Sequence, residues 1–409
     1  MLNILWLAFF VIAAASGLAR WFLLGDVQVF PNMVASLFDM ARLSVEVMVL
    51  LFGTLTLWLG FLRIAEAAGL VDKLAKLLGP LFARLMPGVP RGHPAVGLIT
   101  LNFAANGLGL DNAATPIGLR AMRELQTLNP DPKSATNAQI LFLVLNTSSL
   151  TLLPITLFMY RAQQGAPDPA MVFLPILLTT AITTVAALLS VAFVQRINLL
   201  DRVVLAWLGS TALILGLFMA FLATLSTAAI NQLSSLMGNV SIFAVIMLFL
   251  LVGWAKKVPV YESFVSGAKE GFDIAKELLP YLVAMLCAVG VLRTSGALDV
   301  LLDGIRWLTL SAGWDTRFVD ALPTALMRPF SGSASRAMLL ETMSHFGVDS
   351  FPAILSAVVQ GSTETTFYVL AVYFGAVGIS RARHAVGCAV FCDVVGILAA
   401  IGMTYWFFG

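Results

Sequence analysis

Long apolar runs alternate along this chain with shorter segments that carry most of the charge. Because a helix that spans a bilayer needs about 20 mostly apolar residues, we interpret nine of these runs as spans. They are Asn3 to Leu24, Val45 to Leu62, Ala138 to Tyr160, Met171 to Val194, Val203 to Leu225, Val240 to Trp254, Glu277 to Leu292, Phe351 to Phe374 and His384 to Phe408. The pattern predicts an all-α polytopic membrane protein with about nine full spans.

Amphipathic segments stand next to two of the spans. Residues 34–45 and residues 262–276 each place apolar side chains at helical spacing on one face and charged side chains on the opposite face. Helices of this kind lie along the membrane interface with the apolar face towards the lipid. We therefore expect two separate interfacial helices, each followed by a span.

The two halves of the chain repeat the same order of segments. The matching stretches are 61–70 with 291–298, 120–122 with 336–338, and 146–149 with 360–363. Between the equivalent spans that begin at Val45 and Glu277 the chain crosses the membrane five times, and an odd number of crossings inverts the second copy. We expect two inverted repeats, 1–200 and 201–409, which is an architecture typical of secondary transporters.

The composition agrees with a membrane protein and excludes other classes. Hydrophobic residues make up 59% of the chain and charged residues 11%, whereas soluble domains carry about 25% charged residues. The net charge of +2 gives no basic surface for phosphates, so no nucleic acid is expected as a partner. Cys287, Cys388 and Cys392 lie in apolar runs without the spacing of disulfide or metal sites. We expect no metal and no cofactor.

The positive charges predict an orientation in the membrane. If the nine spans are correct, the connections on one side hold 16 of the 24 Lys and Arg residues. These connections are 63–137, 196–202, 256–276 and 375–383. The positive-inside rule then places the N-terminus in the cytoplasm and the C-terminus outside, with the lipid bilayer as the surrounding partner.

Two interrupted segments predict re-entrant helical hairpins. Gly107 and Pro116 break the first, Asn102 to Pro116, and three serines surround Gly332 in the second, Arg328 to Arg336. Such breaks are tolerated at membrane depth only where the backbone is buried in protein or lines a cavity. The polar side chains of both segments are therefore candidates for binding a solute: Asn102, Asn106, Asp111, Asn112, Arg328, Ser331 and Ser333.

Polar residues also occupy the middle of two spans, at 146–151 and 360–366. Burying these polar groups in the membrane costs free energy unless they find hydrogen-bond partners. The helices are expected to unwind there. Further solute contacts are expected from Asn146, Thr147, Ser148, Gln360, Ser362 and Thr363. An acidic residue at this depth points to function, so Glu364 is predicted to hold a coupling H⁺ or Na⁺. The alternative is a carboxylate that only bridges helices. Asp393, in the last span, is expected to pair with an arginine.

These segments resemble two known families. The stretches Leu57 to Gly60, Asn102 to Pro116, Gly118 to Met122 and Asn146 to Ser148 are similar to spore maturation protein A. The stretches Val258 to Glu262, Gly267 to Gly271, Met327 to Gly332 and Gln360 to Gly375 are similar to spore maturation protein B. The resemblance implies a fusion of the two, with a Gate (nucleoside-recognition) domain in each half. It also implies similarity to the membrane core of ferrous-iron transporters and, distantly, to concentrative nucleoside transporters.

These observations favour a secondary transporter or exporter of a small polar solute, with H⁺ or Na⁺ as the coupling ion. The alternative is a membrane scaffold or regulator of envelope or spore maturation that transports nothing, and an aqueous cavity near Glu364 would distinguish the two. An enzyme is not expected, because the sequence has neither an HExxH metal motif nor a Gly-x-Ser-x-Gly elbow. A homodimer is compatible with an inverted-repeat carrier, although no segment specifies an interface.

Overall fold

The computed structural model describes residues 2–90, 92–107, 111–148 and 150–409. It is 80% helical, and the described residues form no strand. The α-helices are α1 (Leu2–Leu24), α2 (Val29–Ala67), α3 (Leu70–Leu85), α4 (Pro94–Gly107), α5 (Asp111–Thr127), α6 (Asn137–Ser148), α7 (Ile155–Gln163), α8 (Phe173–Gln195), α9 (Arg202–Leu222), α10 (Thr227–Ala255), α11 (Val260–Thr294), α12 (Ala297–Ser311), α13 (Leu322–Met327), α14 (Gly332–Phe346), α15 (Phe351–Ser362), α16 (Thr366–Gly375) and α17 (Ala385–Phe408). Single 3₁₀ turns cover Pro169–Val172 and Val319–Ala321.

The fold is that of an all-α polytopic membrane protein, as predicted. Among the described residues, six segments are long and apolar enough to cross a bilayer as continuous helices. They are Trp6–Leu24, Val29–Ala67, Pro169–Gln195, Arg202–Leu222, Thr227–Ala255 and Ala385–Phe408. The pair Leu282–Thr294 and Ala297–Ser311, bent by 66°, would make a seventh. Two of the nine predicted spans, Ala138 to Tyr160 and Phe351 to Phe374, are each split into two helices.

The prediction of separate interfacial helices is wrong. Residues 34–45 belong to α2, which continues unbroken for 39 residues, and residues 262–276 belong to α11, which continues for 35. No Gly or Pro occurs between 34 and 45, so nothing in the sequence ends the helix before the span. At about 1.5 Å per residue such helices are longer than the ~30 Å hydrocarbon layer. They therefore extend beyond the membrane or tilt within it.

The two long helices α2 and α11 pack against each other in opposite directions. The contacts along the pair are Leu37 with Cys287 (carbonyl oxygen to Sγ, 3.4 Å), Phe52 with Phe272 (ring centroids 4.5 Å apart) and Phe61 with Phe264 (5.1 Å). As residue numbers rise along α2, the numbers of their partners fall along α11. Gly271 allows close packing, because a Cβ there would lie 2.8 Å from the Leu55 carbonyl oxygen. Because α2 and α11 are equivalent in the repeat, their antiparallel packing inverts one copy relative to the other.

The order of elements confirms the internal repeat. Helices α2 to α8 correspond one by one to α11 to α17, and the members of each pair have similar lengths except for the short α13. Both α3 and α12 follow a glycine in the left-handed conformation, Gly69 at φ 69° and Gly296 at φ 80°. The last pair is also antiparallel, since Thr183 of α8 faces Gly396 of α17 while Gln195 contacts His384 at 3.0 Å. The division at residue 200 stays a prediction.

The four connections predicted to share one side of the membrane do contact one another. The backbone N–H of Arg381 donates to the Lys133 carbonyl at 2.9 Å, and Arg84 pairs with Asp201 at 3.4 Å. Arg63 and Glu262 line one groove. The two contacts and the shared groove place connection 63–137 beside the three other connections at one end of the helices.

Candidate functional site

The chain folds into two helical hairpins, as predicted, with α4 ending at Gly107 and α14 beginning at Gly332. The predicted break at Pro116 is wrong, because Pro116 lies inside α5. In the first half α4 packs against α5, and Asn102 Nδ2 donates a hydrogen bond to the Ala114 carbonyl at 2.7 Å. In the second half α13 packs against α14, and the Ser335 hydroxyl donates to the Thr324 carbonyl at 3.0 Å. One side-chain hydrogen bond thus ties together the two limbs of each hairpin.

Two helices end where polar residues occupy the predicted spans. The first break separates α6 from α7, and the second separates α15 from α16. The hydroxyl groups at these ends donate to carbonyls three residues earlier in their own helices: Thr147 to Val144 (2.8 Å), Ser148 to Leu145 (2.9 Å) and Ser362 to Val359 (2.7 Å). Such bonds satisfy buried hydroxyls locally. The predicted unwinding is confirmed for residues 150–151 and 363–365, whereas 146–148 and 360–362 remain helical. Ser149 lies outside the described residues.

Each hairpin is hydrogen-bonded to the break in its own repeat. In the first half the N–H of Leu152 donates to the Gly107 carbonyl at 3.3 Å. In the second half the N–H of Phe367 donates to the Pro329 carbonyl at 2.9 Å. Both bonds link a hairpin to the break of the same repeat, so backbone groups freed at each break find a partner near the bend of the hairpin. Buried backbone groups need such partners.

The two breaks meet each other. The backbone N–H of Glu364, in the unwound segment after α15, donates to the carbonyl of Thr147 in the last turn of α6 at 2.8 Å. This bond joins one repeat to the other. We call residues 146–148 and 362–364 the crossing. The equivalent helices α8 and α17 pack beside it. Inversion of the repeats thus brings both breaks and both hairpins together in the interior of the protein.

Comparison with known families matches this repeat. The family model of the Gate domain, described as nucleoside recognition, matches residues 48–163 and 275–380. These two segments hold more than half of the 409 residues. The chain belongs to the Gate family. Each Gate segment ends with the second half of a broken helix, α7 in the first repeat and α16 in the second, so both contain a complete hairpin and break.

Two curated relatives come from Bacillus subtilis (strain 168). Spore maturation protein B is 46% identical over 160 residues, which are 39% of this chain and 88% of that protein. Spore maturation protein A is 34% identical over 189 residues, which are 46% of this chain and 93% of that protein. The chain is therefore homologous to both proteins and covers most of the length of each.

In the first Gate segment the structure brings together only some of the predicted solute ligands. Asn106 Nδ2 donates to Asn146 Oδ1 at 3.0 Å, and Asn146 Nδ2 donates to the Phe142 carbonyl at 2.9 Å. Asn102 is fully buried within the hairpin, where its amide nitrogen holds the two limbs together. The side chains of Asp111 and Asn112 lie outside the described part of the structure. Asn106 and Asn146 thus form the polar edge of the crossing in this half.

In the second Gate segment several predicted ligands hold the hairpin itself. Ser331 is the N-cap of α14, since its hydroxyl oxygen accepts from the N–H of Ala334 at 3.2 Å. The Ser333 hydroxyl lies 3.1 Å from that of Ser331 and is partly exposed. Gln360 is buried and accepts a hydrogen bond from the Ser335 hydroxyl. Ser333 is therefore the serine of this bend that a solute reaches most easily.

Arg328 connects the second hairpin to the crossing. Its side chain is 9% exposed, and its guanidinium donates to the Thr363 carbonyl. The same group lies 3.8 Å from the Glu364 carboxylate, whose side chain is 41% exposed. Glu364 is thus the accessible acidic residue at the crossing, with a buried arginine beside it. This ion pair is compatible with a coupling role and also with the alternative of a bridging carboxylate.

Asp393 is the residue that sequence reasoning undervalued. It lies on α17 beside the crossing and is 3% exposed. Its Oδ1 accepts a hydrogen bond from the Thr366 hydroxyl at 3.0 Å, and it takes part in none of the ion pairs within 4.0 Å among the described residues. The expected partnership with an arginine is therefore wrong. An acidic residue in an apolar run was the available signal, and it was the same signal that singled out Glu364.

A groove of about 480 Å³ opens at the end of α2 and the start of α11. Arg63, Glu66, Glu262, Ser263 and Ser266 contribute its polar lining. Arg63 pairs with Glu66 at 2.9 Å within this lining. The groove therefore lies among the positively charged connections and away from the crossing.

Proposed function

We propose that this Gate-family membrane protein is a secondary transporter or exporter of a small polar solute. The observation that carries the proposal is the hydrogen bond between Glu364 and Thr147, which joins two broken helices from inverted repeats. Backbone groups at such breaks are free of regular helical bonding and can bind a solute or an ion. A transport role also fits the description of the Gate domain as nucleoside recognition.

The polar edge of the crossing would hold the solute. Asn106, Asn146 and Ser333 offer amide and hydroxyl groups, and Arg328 would face an anionic substituent. Asn106 bonds to Asn146, Ser333 bonds to Ser331, and Arg328 binds the Thr363 carbonyl. Binding would exchange these bonds between protein groups for bonds to the solute. Alternating access would follow from movement of one repeat against the other. Glu364, partly exposed beside Arg328, would hold the coupling H⁺ or Na⁺.

A binding screen on the purified full chain tests this proposal. Nucleosides, amino acids and small organic acids would be tested by thermal shift, with NaCl or choline chloride and across pH. A ligand at 100 times its Kd stabilises a protein by about 2.7 kcal/mol, so a specific solute should raise the melting temperature. We expect Asn106→Ala and Ser333→Ala to lose the rise, and Glu364→Gln to lose its dependence on Na⁺ or pH.

Two matched variants control for general effects of the substitutions. Asn239→Ala and Ser311→Ala remove the same side chains from exposed helix surfaces, so the thermal shift should survive in both. A solute that stabilises Asn106→Ala and Ser333→Ala as strongly as the wild type does not bind at the crossing. If no solute stabilises the protein and none enters proteoliposomes, the transport proposal fails.

A scaffold is the second candidate. The bonds between Asn106 and Asn146 and between Ser335 and Gln360 pair polar groups around the crossing with one another, and the groove of about 480 Å³ lies elsewhere. Both observations fit a protein that moves no solute and serves envelope or spore maturation, as the names of the relatives suggest. The Gate and spore maturation family is not known as enzymatic, and we propose no catalysis here. Dimerisation stays a proposal for either role.

We also propose that the N-terminus is cytoplasmic and that the C-terminus lies outside a bacterial inner membrane. The connections rich in Lys and Arg cluster at one end of the helices, and they would face the cytoplasm. In a background without the native cysteines, Gly409→Cys in spheroplasts should react with a membrane-impermeant maleimide. Lys257→Cys, on an exposed residue of the basic end, should react only after permeabilisation. The reverse pattern would contradict this orientation.

A further inference from the structure

We propose that Asp393 and the hydroxyl groups around it form a monovalent cation site, for H⁺ or Na⁺, distinct from Glu364. The proposal rests on the transport function above and gives it a second, more deeply buried coupling site. The site lies between α17, α8 and the break that separates α15 from α16. Four observations support it: the burial of Asp393, the bonding of its two oxygens, the direction of nearby hydroxyl donors and the scarcity of charged neighbours.

The two carboxylate oxygens of Asp393 differ in their partners. Oδ1 accepts from the Thr366 hydroxyl at 3.0 Å. Oδ2 is fully buried, and no donor among the described residues meets it with hydrogen-bond geometry, although Thr363 lies close to the same carboxylate. A buried carboxylate with one unsatisfied oxygen is costly. A proton on that oxygen or a bound cation would remove most of this cost.

Two hydroxyl groups one helical turn from Asp393, those of Thr183 and Ser362, have already used their protons. Thr183 donates to the Thr179 carbonyl at 2.8 Å, and Ser362 donates to the Val359 carbonyl at 2.7 Å. Both oxygens border Gly396, one helical turn from Asp393, where a Cβ would lie 3.2 Å from Thr183 Oγ1 and 3.5 Å from Ser362 Oγ. Their lone pairs remain as acceptors. Hard oxygen acceptors therefore lie one helical turn along α17 from the carboxylate, and such groups suit H⁺ and Na⁺ rather than an anion.

The charged groups around Asp393 do not neutralise it. The helices packed against α17 are α6, α8, α10, α15 and α16. None of the five contains Asp, Glu, Lys, Arg or His, and their only titratable side chains are Tyr368 and Tyr373 of α16. On α17 itself the nearby titratable groups are Cys388 and Cys392. Arg328 acts on Asp393 through its charge, but its guanidinium binds the Thr363 carbonyl and lies beside Glu364.

The position of the site would couple the binding of a cation at Asp393 to the conformation of the break between α15 and α16. Thr366 is the first residue of α16 and Ser362 is the last residue of α15, so both ends of the broken helix contact the same cluster. Gain or loss of a cation at Asp393 would change the attraction between α17 and these two ends. Such a change is the kind of differential interaction that shifts a protein between two conformations.

Infrared difference spectroscopy on the purified full chain tests the site without any solute. One arm compares acidic with alkaline buffer, and the other compares NaCl with choline chloride at alkaline pH. If H⁺ binds, the wild type shows the C=O stretch of a carboxylic acid that disappears at alkaline pH. If Na⁺ binds, NaCl changes the carboxylate bands at constant pH. All carboxyl groups contribute to these spectra, so Asp393→Asn should lose the one component that belongs to Asp393. Asp315→Asn, at an exposed carboxylate, should keep that component.

Identical difference spectra for the wild type and Asp393→Asn in both arms would overturn the proposal. If Asp393→Asn does not fold, Thr366→Val takes its place. Loss of the Thr366 hydroxyl destabilises the charged carboxylate, so the proton band should persist to higher pH or the Na⁺ response should weaken. A purely structural role for Thr366 would leave both unchanged. Because no solute is present, failure here leaves the solute site untouched, and failure of the binding screen leaves this site untouched.

Discussion

Replacing Arg328 by methionine should lower the free energy of unfolding in detergent micelles by about 3 kcal/mol. Methionine keeps much of the length of the side chain but removes the donor that satisfies the Thr363 carbonyl. Thr363 is 3% exposed, so water cannot readily replace the guanidinium. Unfolding would be followed by circular dichroism during titration with sodium dodecyl sulfate. The lower stability of Arg328→Met should also appear as a reduced yield of folded protein.

Arg120→Met is the matched control for this change. Arg120 lies on α5, at the position equivalent to Arg336 of the second repeat, and its side chain is exposed. Its replacement should therefore alter the free energy of unfolding by less than about 0.5 kcal/mol. Glu364→Gln separates the two roles of Arg328, because the Glu364 carboxylate is partly exposed. If the bond to Thr363 dominates, Glu364→Gln costs less than about 1 kcal/mol, and Arg328→Met remains costly when it is combined with Glu364→Gln. Equal stability of Arg328→Met and Arg120→Met would contradict the role of Arg328 at the crossing.

The breaks and hairpins could be predicted because their cause is local. Gly107 and Gly332 stand at helix ends, and runs of polar residues such as 146–151 cannot remain in a lipid-facing helix without partners. The break predicted at Pro116 is wrong, because this proline is accommodated inside α5. The inversion could also be predicted, because it follows from the parity of the crossings between equivalent segments. These features depend on residue type and order along the chain, and both can be read from a sequence.

The partners of individual side chains could not be predicted in the same way. Asn102 was expected to bind a solute, but its amide nitrogen ties α4 to α5 because the hairpin brings Ala114 within 2.7 Å. Asp393 was expected to pair with an arginine, but α17 places it next to Thr366 instead. Both outcomes depend on the packing of elements that are distant in sequence. The sequence indicates the depth of such residues, whereas only the fold determines which groups face them.

The prediction of interfacial helices is wrong for a different physical reason. An amphipathic pattern shows which face of a helix is polar, but it does not show whether that face meets water or another helix. In residues 262–276 the small residues Gly267 and Gly271 face α2, where a side chain would collide with its backbone. The pattern therefore marked a helix that packs closely against its repeat partner. Two glycines four residues apart were the available signal for such packing.

The inverted arrangement of the repeats is tested most directly by cysteine cross-linking between α2 and α11. The native Cys287, Cys388 and Cys392 would be replaced by alanine, and a protease site would be inserted between α8 and α9 so that only cross-linked halves stay together on a gel. Antiparallel packing places Phe52 beside Phe272 and Phe61 beside Phe264. Positions 52 and 61 are about 13 Å apart along a helix, beyond the roughly 7 Å between Cα atoms that a disulfide can bridge.

Four double variants decide between the two directions of packing. We predict that copper-catalysed oxidation in membranes links Phe52→Cys with Phe272→Cys, and Phe61→Cys with Phe264→Cys. The exchanged pairs, Phe52→Cys with Phe264→Cys and Phe61→Cys with Phe272→Cys, should remain unlinked. Cross-linking of the exchanged pairs in place of the first two would mean that α2 and α11 run in the same direction, and it would contradict the inverted repeat on which the crossing and the proposed transport depend.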